Sequence, residues 1–266
     1  LTAKMSKDVV AVETEKVKKT ASTYRSEKLS RLKNLDFFIL DNSIRESTVG
    51  QVRGHTLENK IAIFDEVKKC GLKNIIVASF SHLTRVDDEF CQYLKDKKED
   101  FSSLYSFSEV TEGLKDGRYD TERVPVSCLK NKKYGLYNTV FETDLANPEC
   151  KWGDKWTVDD QLAMLRKRFR WVRDEINQNA KILLSFRDFS LIMTQDPELL
   201  LKVVHGLASM PRGERLFALM FEDLGDCMPE ELGSWTAKSV KQAPSKVIEK
   251  NQIGYVIKMN VIRKKY

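Results

Sequence analysis

Three residues that could do chemistry stand close together in the run Asp41-Asn42-Ser43-Ile44-Arg45-Glu46. The run directly follows Phe37-Phe38-Ile39-Leu40, a short apolar stretch rich in strand formers. In a parallel α/β barrel, the carboxyl end of a strand faces the active site. A carboxylate there, such as Glu46, can hold a divalent cation through oxygen. A guanidinium there, such as Arg45, can stabilise a developing enolate oxygen. The plainer reading is that Asp41, Arg45 and Glu46 cap the strand and pair with one another, because surface ion pairs are common and contribute little.

Other chemical signatures are missing. The chain has no G-x-G-x-x-G, P-loop or H-E-x-x-H, so dinucleotide, Walker-type and zincin readings lose their main support. No G-x-S-x-G supplies a hydrolase elbow. His55, His82 and His205 lie far apart, and His205 falls inside a helical stretch as a packed or partly exposed residue. The five cysteines, Cys70, Cys91, Cys128, Cys150 and Cys227, form no C-x-x-C pair. That argues against a disulfide framework and for a reducing compartment. Arg166, Lys167, Arg168, Arg170 and Arg173 surround Trp171 and hint at a nucleic-acid surface. They share a helix with an apolar stripe, so a solvated charged face is the expectation, and a nucleic-acid partner is disfavoured.

The elements that must position these groups alternate between strand and helix. Thr56 reads as an N-cap, with Ile63, Val67 and Cys70 on one helical face and Gly71 as the stop. Ile75–Ala78 is a buried-type strand, Asp87–Lys97 a polar helix, and Phe101–Phe107 a third strand. Val124–Val126 and Leu136–Phe141 compete for the fourth, the second being better. Thr157 caps a helix over Val158–Asn177, with Asp160 at the capping-box spacing and Leu162, Leu165, Phe169, Val172 and Ile176 as its stripe. Lys181–Phe186 and Leu216–Phe221 are two further strands, separated by a helix that starts at Asp196-Pro197. Such alternation implies crossover connections and a parallel sheet. Periodicity leaves open whether that sheet closes into a barrel.

The chain has 266 residues and a formal net charge of +6. The charge sits at the ends: nine Lys/Arg against four Asp/Glu over 1–35, and eight against one over 238–266. The body is therefore mildly acidic. The expected division is a basic, weakly ordered leader over 1–34, an α/β domain over 35–242 and a basic tail over 243–266. No apolar run approaches the roughly 20 residues of a membrane span. The expectation is an intracellular, cytoplasmic protein, with room for a homo-oligomer.

The segment Phe38–Glu46 resembles the first strand of the HMG-CoA lyase and isopropylmalate synthase superfamily. Those enzymes are metal-dependent (β/α)8 barrels opening with D-x-T-L-R-D, which here reads D-N-S-I-R-E. Asn74–Phe80 is similar to the family's second strand and Tyr137–Asn147 to its fourth. Glu222-Asp223-Leu224-Gly225-Asp226-Cys227-Met228-Pro229 resembles its sixth-strand motif D-T-x-G-x-x-x-P, with Glu222 for Asp and Asp223 for Thr. The resemblance covers 35–235 in matching order. It implies a lyase or acyl-transferring synthase that acts on an acyl-CoA or 2-oxo acid through an enolate. By the same resemblance, Mg²⁺ or Mn²⁺ is the cofactor, Glu46 the metal ligand and Arg45 the enolate-stabilising residue. Asp41, Glu222 and Asp223 would stand near the substrate.

The departures are as informative. The family's seventh strand carries H-x-H for the metal, and this chain has none. The acidic residue of its second strand falls at Ile76 or Val77, and the Gln four residues beyond the Arg is Val49, with Gln51 nearby. About six of eight βα units are accounted for, although an apolar run in 253–261 could add one strand. The expectation is an incomplete TIM-type barrel: a piece or alternative product of a longer enzyme, a lapsed relative, or one part of a barrel completed by a partner. The missing imidazoles argue against activity of this chain alone. The competing expectation is a catalytically inactive α/β interaction module whose basic ends bind an acidic partner.

Overall fold

The computed structural model describes residues 23, 25, 26, 30, 38–48, 55–80, 86–115, 118–146, 157–222 and 254–258, with backbone alone at 46–48, 114–115, 118–119 and 254–258. The chain divides into a unit over Leu1–Ile39 and a unit over Leu40–Tyr266. The basic leader expected over 1–34 falls in the first and lies almost entirely outside the described residues.

The second unit is a parallel α/β fold built on one curled seven-stranded sheet. Its strands are β1 (Leu40–Asp41), β2 (Asn74–Ser79), β3 (Leu104–Glu109), β4 (Asn138–Thr143), β5 (Ile182–Phe186), β6 (Ala218–Glu222) and β7 (Gly254–Lys258). They lie side by side in chain order, and every pair is parallel. Helices fill the connections: α1 (Ser43–Thr48), α2 (Leu57–Lys69), α3 (Val86–Asp96), α4 (Val126–Tyr134), α5 (Val158–Glu175), α6 (Phe189–Gln195) and α7 (Pro197–Ala208). A short antiparallel ribbon, Leu114–Lys115 with Arg118–Tyr119, projects between β3 and α4.

Alternation along each strand sorts the side chains onto two faces. One face packs on the helices. Phe141, Ile182, Leu184, Phe186, Leu219 and Phe221 join α5 and α7 in one core, and Ile75, Val77 and Leu104 join α1, α2 and α3 in another. Ser106 faces the helices too, because its hydroxyl meets Asn131 of α4 at 2.8 Å. The residues one step along therefore face away: Tyr105 and Phe107, in register with Asn138 and Val140, then Leu183 and Ala218. These are also buried, so both faces of the sheet are covered.

The local signals place most elements where expected. Thr56 caps α2 by accepting from the Asn59 amide, and Thr157 and Asp160 form a reciprocal capping box on α5. Three expectations are corrected. The third strand starts at Leu104, because Asp100 accepts from the Ser102 amide and winds Phe101–Ser103 into a 3₁₀ turn. Val124-Pro125-Val126 is no strand: Pro125 introduces α4, which ends at Gly135 with φ 78°, a conformation glycine adopts without steric cost. The solvated basic face expected on α5 is corrected at one position: Lys167 and Arg170 are exposed, but Arg168 is 1% exposed. The apolar run near 253 does add a strand, with Ala218 opposite Gly254 and Glu222 opposite Lys258.

Candidate functional site

Two of the candidate residues end strands, Asp41 on β1 and Glu222 on β6, with four strands between them in the sheet. Asp41 closes β1, and its carboxylate accepts from the Ser43 amide at 3.0 Å and the Ser43 hydroxyl at 2.9 Å. It thereby braces the start of α1, the helix that carries Arg45 and Glu46. Ile44, fully buried, anchors that helix in the core. The Arg45 guanidinium then lies 5.0 Å from the centre of the Phe107 ring on β3. Stacking on an aromatic face suits a planar guanidinium and fixes its direction. Phe107 faces away from the helices, so Arg45 is on that face as well.

The same face turns polar at the carboxyl ends of the central strands. Glu109, Glu142 and Ser185 are in register on β3, β4 and β5. Glu222 ends β6, is 2% exposed, and accepts from the Ser185 hydroxyl at 2.5 Å. Just beyond the strands, Arg187 is bonded to Asp144 through two nitrogens. The fully buried Asp188 accepts from the Leu145 and Ala146 amides. These contacts tie the end of β4 to the end of β5. The result is a rim of carboxylates, one hydroxyl and two guanidinium groups over an apolar floor of Phe107, Val140, Leu183 and Met220. Such an arrangement can orient an oxyanion and hold protons near it.

A second polar cluster sits outside that face. Asp87, near the start of α3, accepts from Lys60 Nζ at 2.7 Å, from the Ser79 amide at 2.8 Å, and meets His55 Nε2 at 3.3 Å. Asp87 and Lys60 are both 1% exposed. They hold the end of β2 against α2 and α3. A charged residue on the apolar face of α2, four before Phe64 and seven before Val67, is the signal by which the sequence betrays this pair. The matching signal for Ser185 is a lone hydroxyl in the apolar strand Ile182–Phe186.

The basic run on α5 is used up internally. Arg168 donates to the carbonyls of Val110 (2.9 Å), Thr121 (3.2 Å) and Arg123 (3.0 Å). Burial pulls its pKa down from the ordinary arginine value. Arg166 and Arg170 both bond Glu214, holding that carboxyl well below the usual range, at about 2. Buried Cys128 lies within reach of the Glu109 carbonyl at 4.0 Å, and its thiol pKa is pushed up to about 12 by burial, so it is no nucleophile at neutral pH.

The implied metal has no ready seat here. Among the described residues, no three His, Cys, Asp or Glu converge as ligands. Asp41 is engaged by Ser43 and Glu222 by Ser185. The side chains of Glu46 and Asp223 lie outside the described residues. No known protein family matches the chain, and no curated protein does either. No described helix is long and apolar enough to cross a membrane.

Proposed function

We propose that the chain is a divergent, incomplete barrel of the lyase and synthase type, which binds an acyl-CoA or 2-oxo acid at the carboxyl ends of its strands. What carries this reading is the position of Arg45. It follows the first strand, it is steadied by Asp41 through α1, and its guanidinium stacks on Phe107 of the face that bears Glu222 and Ser185. There Arg45 stabilises the oxygen that gains charge as an enolate forms. Ser185, held by the Glu222 carboxylate, presents its hydroxyl beside the same floor. Asp223 follows Glu222 in sequence.

The test is solvent-deuterium incorporation at the α-carbon of 2-oxo acids and acyl-CoA thioesters, followed by NMR with added Mg²⁺ or Mn²⁺. Exchange that falls by about 100-fold in Arg45→Ala is expected, the usual effect of losing one oxyanion donor. Arg45→Lys retains only part of the rate, because an ammonium neither stacks nor forks. Absence of exchange with every substrate and metal, or exchange indifferent to Arg45→Ala, sinks the reading.

The concentration of charge at the ends, eight Lys/Arg against one Asp/Glu over 238–266, favours a second reading: a catalytically inactive α/β module whose basic ends bind an acidic partner. It is distinguished by salt-sensitive capture of an acidic protein that Arg45→Ala leaves intact.

A further inference from the structure

The opposite end of the sheet carries a recess that the chemistry above does not use. It opens at the amino ends of β5 and β6 and encloses about 330 Å³, the lower end of the range for small-molecule sites. Four cations line it: Arg173, Lys181, Arg212 and Arg215. No carboxylate does. The side-chain amides of Gln178 and Asn179 complete its polar wall, and Phe217 gives it an apolar one.

Two of the cations, Arg173 and Arg215, are oriented by backbone carbonyl groups. Arg173 donates to the Glu214 carbonyl at 3.1 Å and the Arg215 carbonyl at 2.5 Å. Arg215 donates through Nε to the Met210 carbonyl at 2.7 Å. Lys181 Nζ sits 5.6 Å from the centre of the Phe217 ring. Arg212 makes no hydrogen bond or ion pair among the described residues and stands exposed at the mouth. The nearby acids are mostly engaged elsewhere. Glu214 is held by Arg166 and Arg170, and Glu175 by Lys132 at 2.7 Å. Glu214 and Asp174 still act on Arg173 electrostatically, Asp174 as an exposed carboxylate in the last turn of α5.

We infer that this recess binds the phosphate end of a small organic phosphate. Guanidinium forks match phosphate oxygens bidentately, and a lining of four cations and no carboxylate suits an anion. Phe217 and Leu216 offer apolar contact to the rest of the ligand. The recess is too small for a dinucleotide laid flat. It is separated from Arg45 and Glu222 by the length of the strands, so it stands whether or not the carbon–carbon chemistry does.

The experiment is calorimetric titration of the full chain with inorganic phosphate, pyrophosphate and AMP at two salt concentrations. Pyrophosphate and AMP are expected to bind more tightly than phosphate, and all three less tightly at the higher salt. The double variant Lys181→Ala/Arg212→Ala is expected to weaken AMP at least tenfold. Arg212→Ala alone, whose side chain holds nothing in the fold, is expected to weaken it severalfold and guards against a folding defect in the pair. The exposed control Lys97→Ala leaves affinity unchanged. Undiminished binding in both recess variants, equal weakening in the control, or no binding of any probe overturns the proposal. So does a single-stranded oligonucleotide that binds more than tenfold tighter than AMP, since that makes the surface a nucleic-acid contact.

Discussion

Lys60 brings a full charge into a place that is 1% exposed, and among the described residues the only anion within ion-pair distance of it is Asp87 at 2.7 Å. Removing one member of a buried pair strands the other in low dielectric. Asp87→Ala is therefore expected to cost about 3–5 kcal/mol in urea unfolding. The paired replacement Lys60→Met with Asp87→Leu, which leaves no charge behind, should recover most of it. A double variant no better than the single one refutes that account. Glu214 makes the opposite case, an ion pair near the surface. Its carboxyl titrates at about 2 in the folded chain, below its ordinary value of 4.5, because Arg166 and Arg170 bond it. A depressed folded pKa adds stability that is full above the unfolded pKa and is lost as pH falls toward the folded one. The difference in stability between the wild type and Glu214→Gln should thus be constant above about pH 5 and shrink between pH 4.5 and about 2. High salt should reduce it, since the group is solvent-accessible. A difference independent of pH in that window excludes the ion pair as its source.

At the scale of elements, α4 shows most clearly what the sequence hides. A helix is recognised by an apolar stripe, and α4 has almost none. It is seated instead on hydrogen bonds. Asn131 accepts from Ser106 at 2.8 Å and donates to Ser108 at 3.0 Å, while Thr139 donates to Ser108 at 2.7 Å. Asn131→Ala removes one partner from each of two buried hydroxyls, Ser106 and Ser108, and should lower stability by roughly 1–3 kcal/mol. Asn131→Asp, which keeps the acceptor but loses the donor to Ser108, should also destabilise, and a neutral result for both would mean the network is not holding the helix. Arg168 was legible as a cation but not as a buried one. Its partners are carbonyls 45 to 58 residues earlier in the chain, which no periodicity encodes. Arg168→Leu should loosen the segment 110–123, seen as faster amide exchange there with α5 itself unchanged. The strands read well because each is short, apolar and bounded by turns. The site read only in part: Arg45 was visible through its neighbours, whereas Phe107 and Ser185 became partners only once register put their faces together.

The unit over Leu40–Tyr266 is built on a sheet whose spatial order repeats its chain order, from β1 to β7. Its outer strand β7 shields β6, all five residues of which are buried. Deleting Gly254–Lys258 should bare the backbone edge of an apolar strand and drive association, visible as a shift to larger species in size-exclusion chromatography. A monodisperse product of monomer size would refute this. Sequential order has one more consequence. No strand is clasped between two partners distant in the chain, so the sheet can open like a book from either cover while its middle pages stay bound. Its unfolding should then be graded along the sheet, with amides of β4 and β5 the last to exchange and those of β1 and β7 the first.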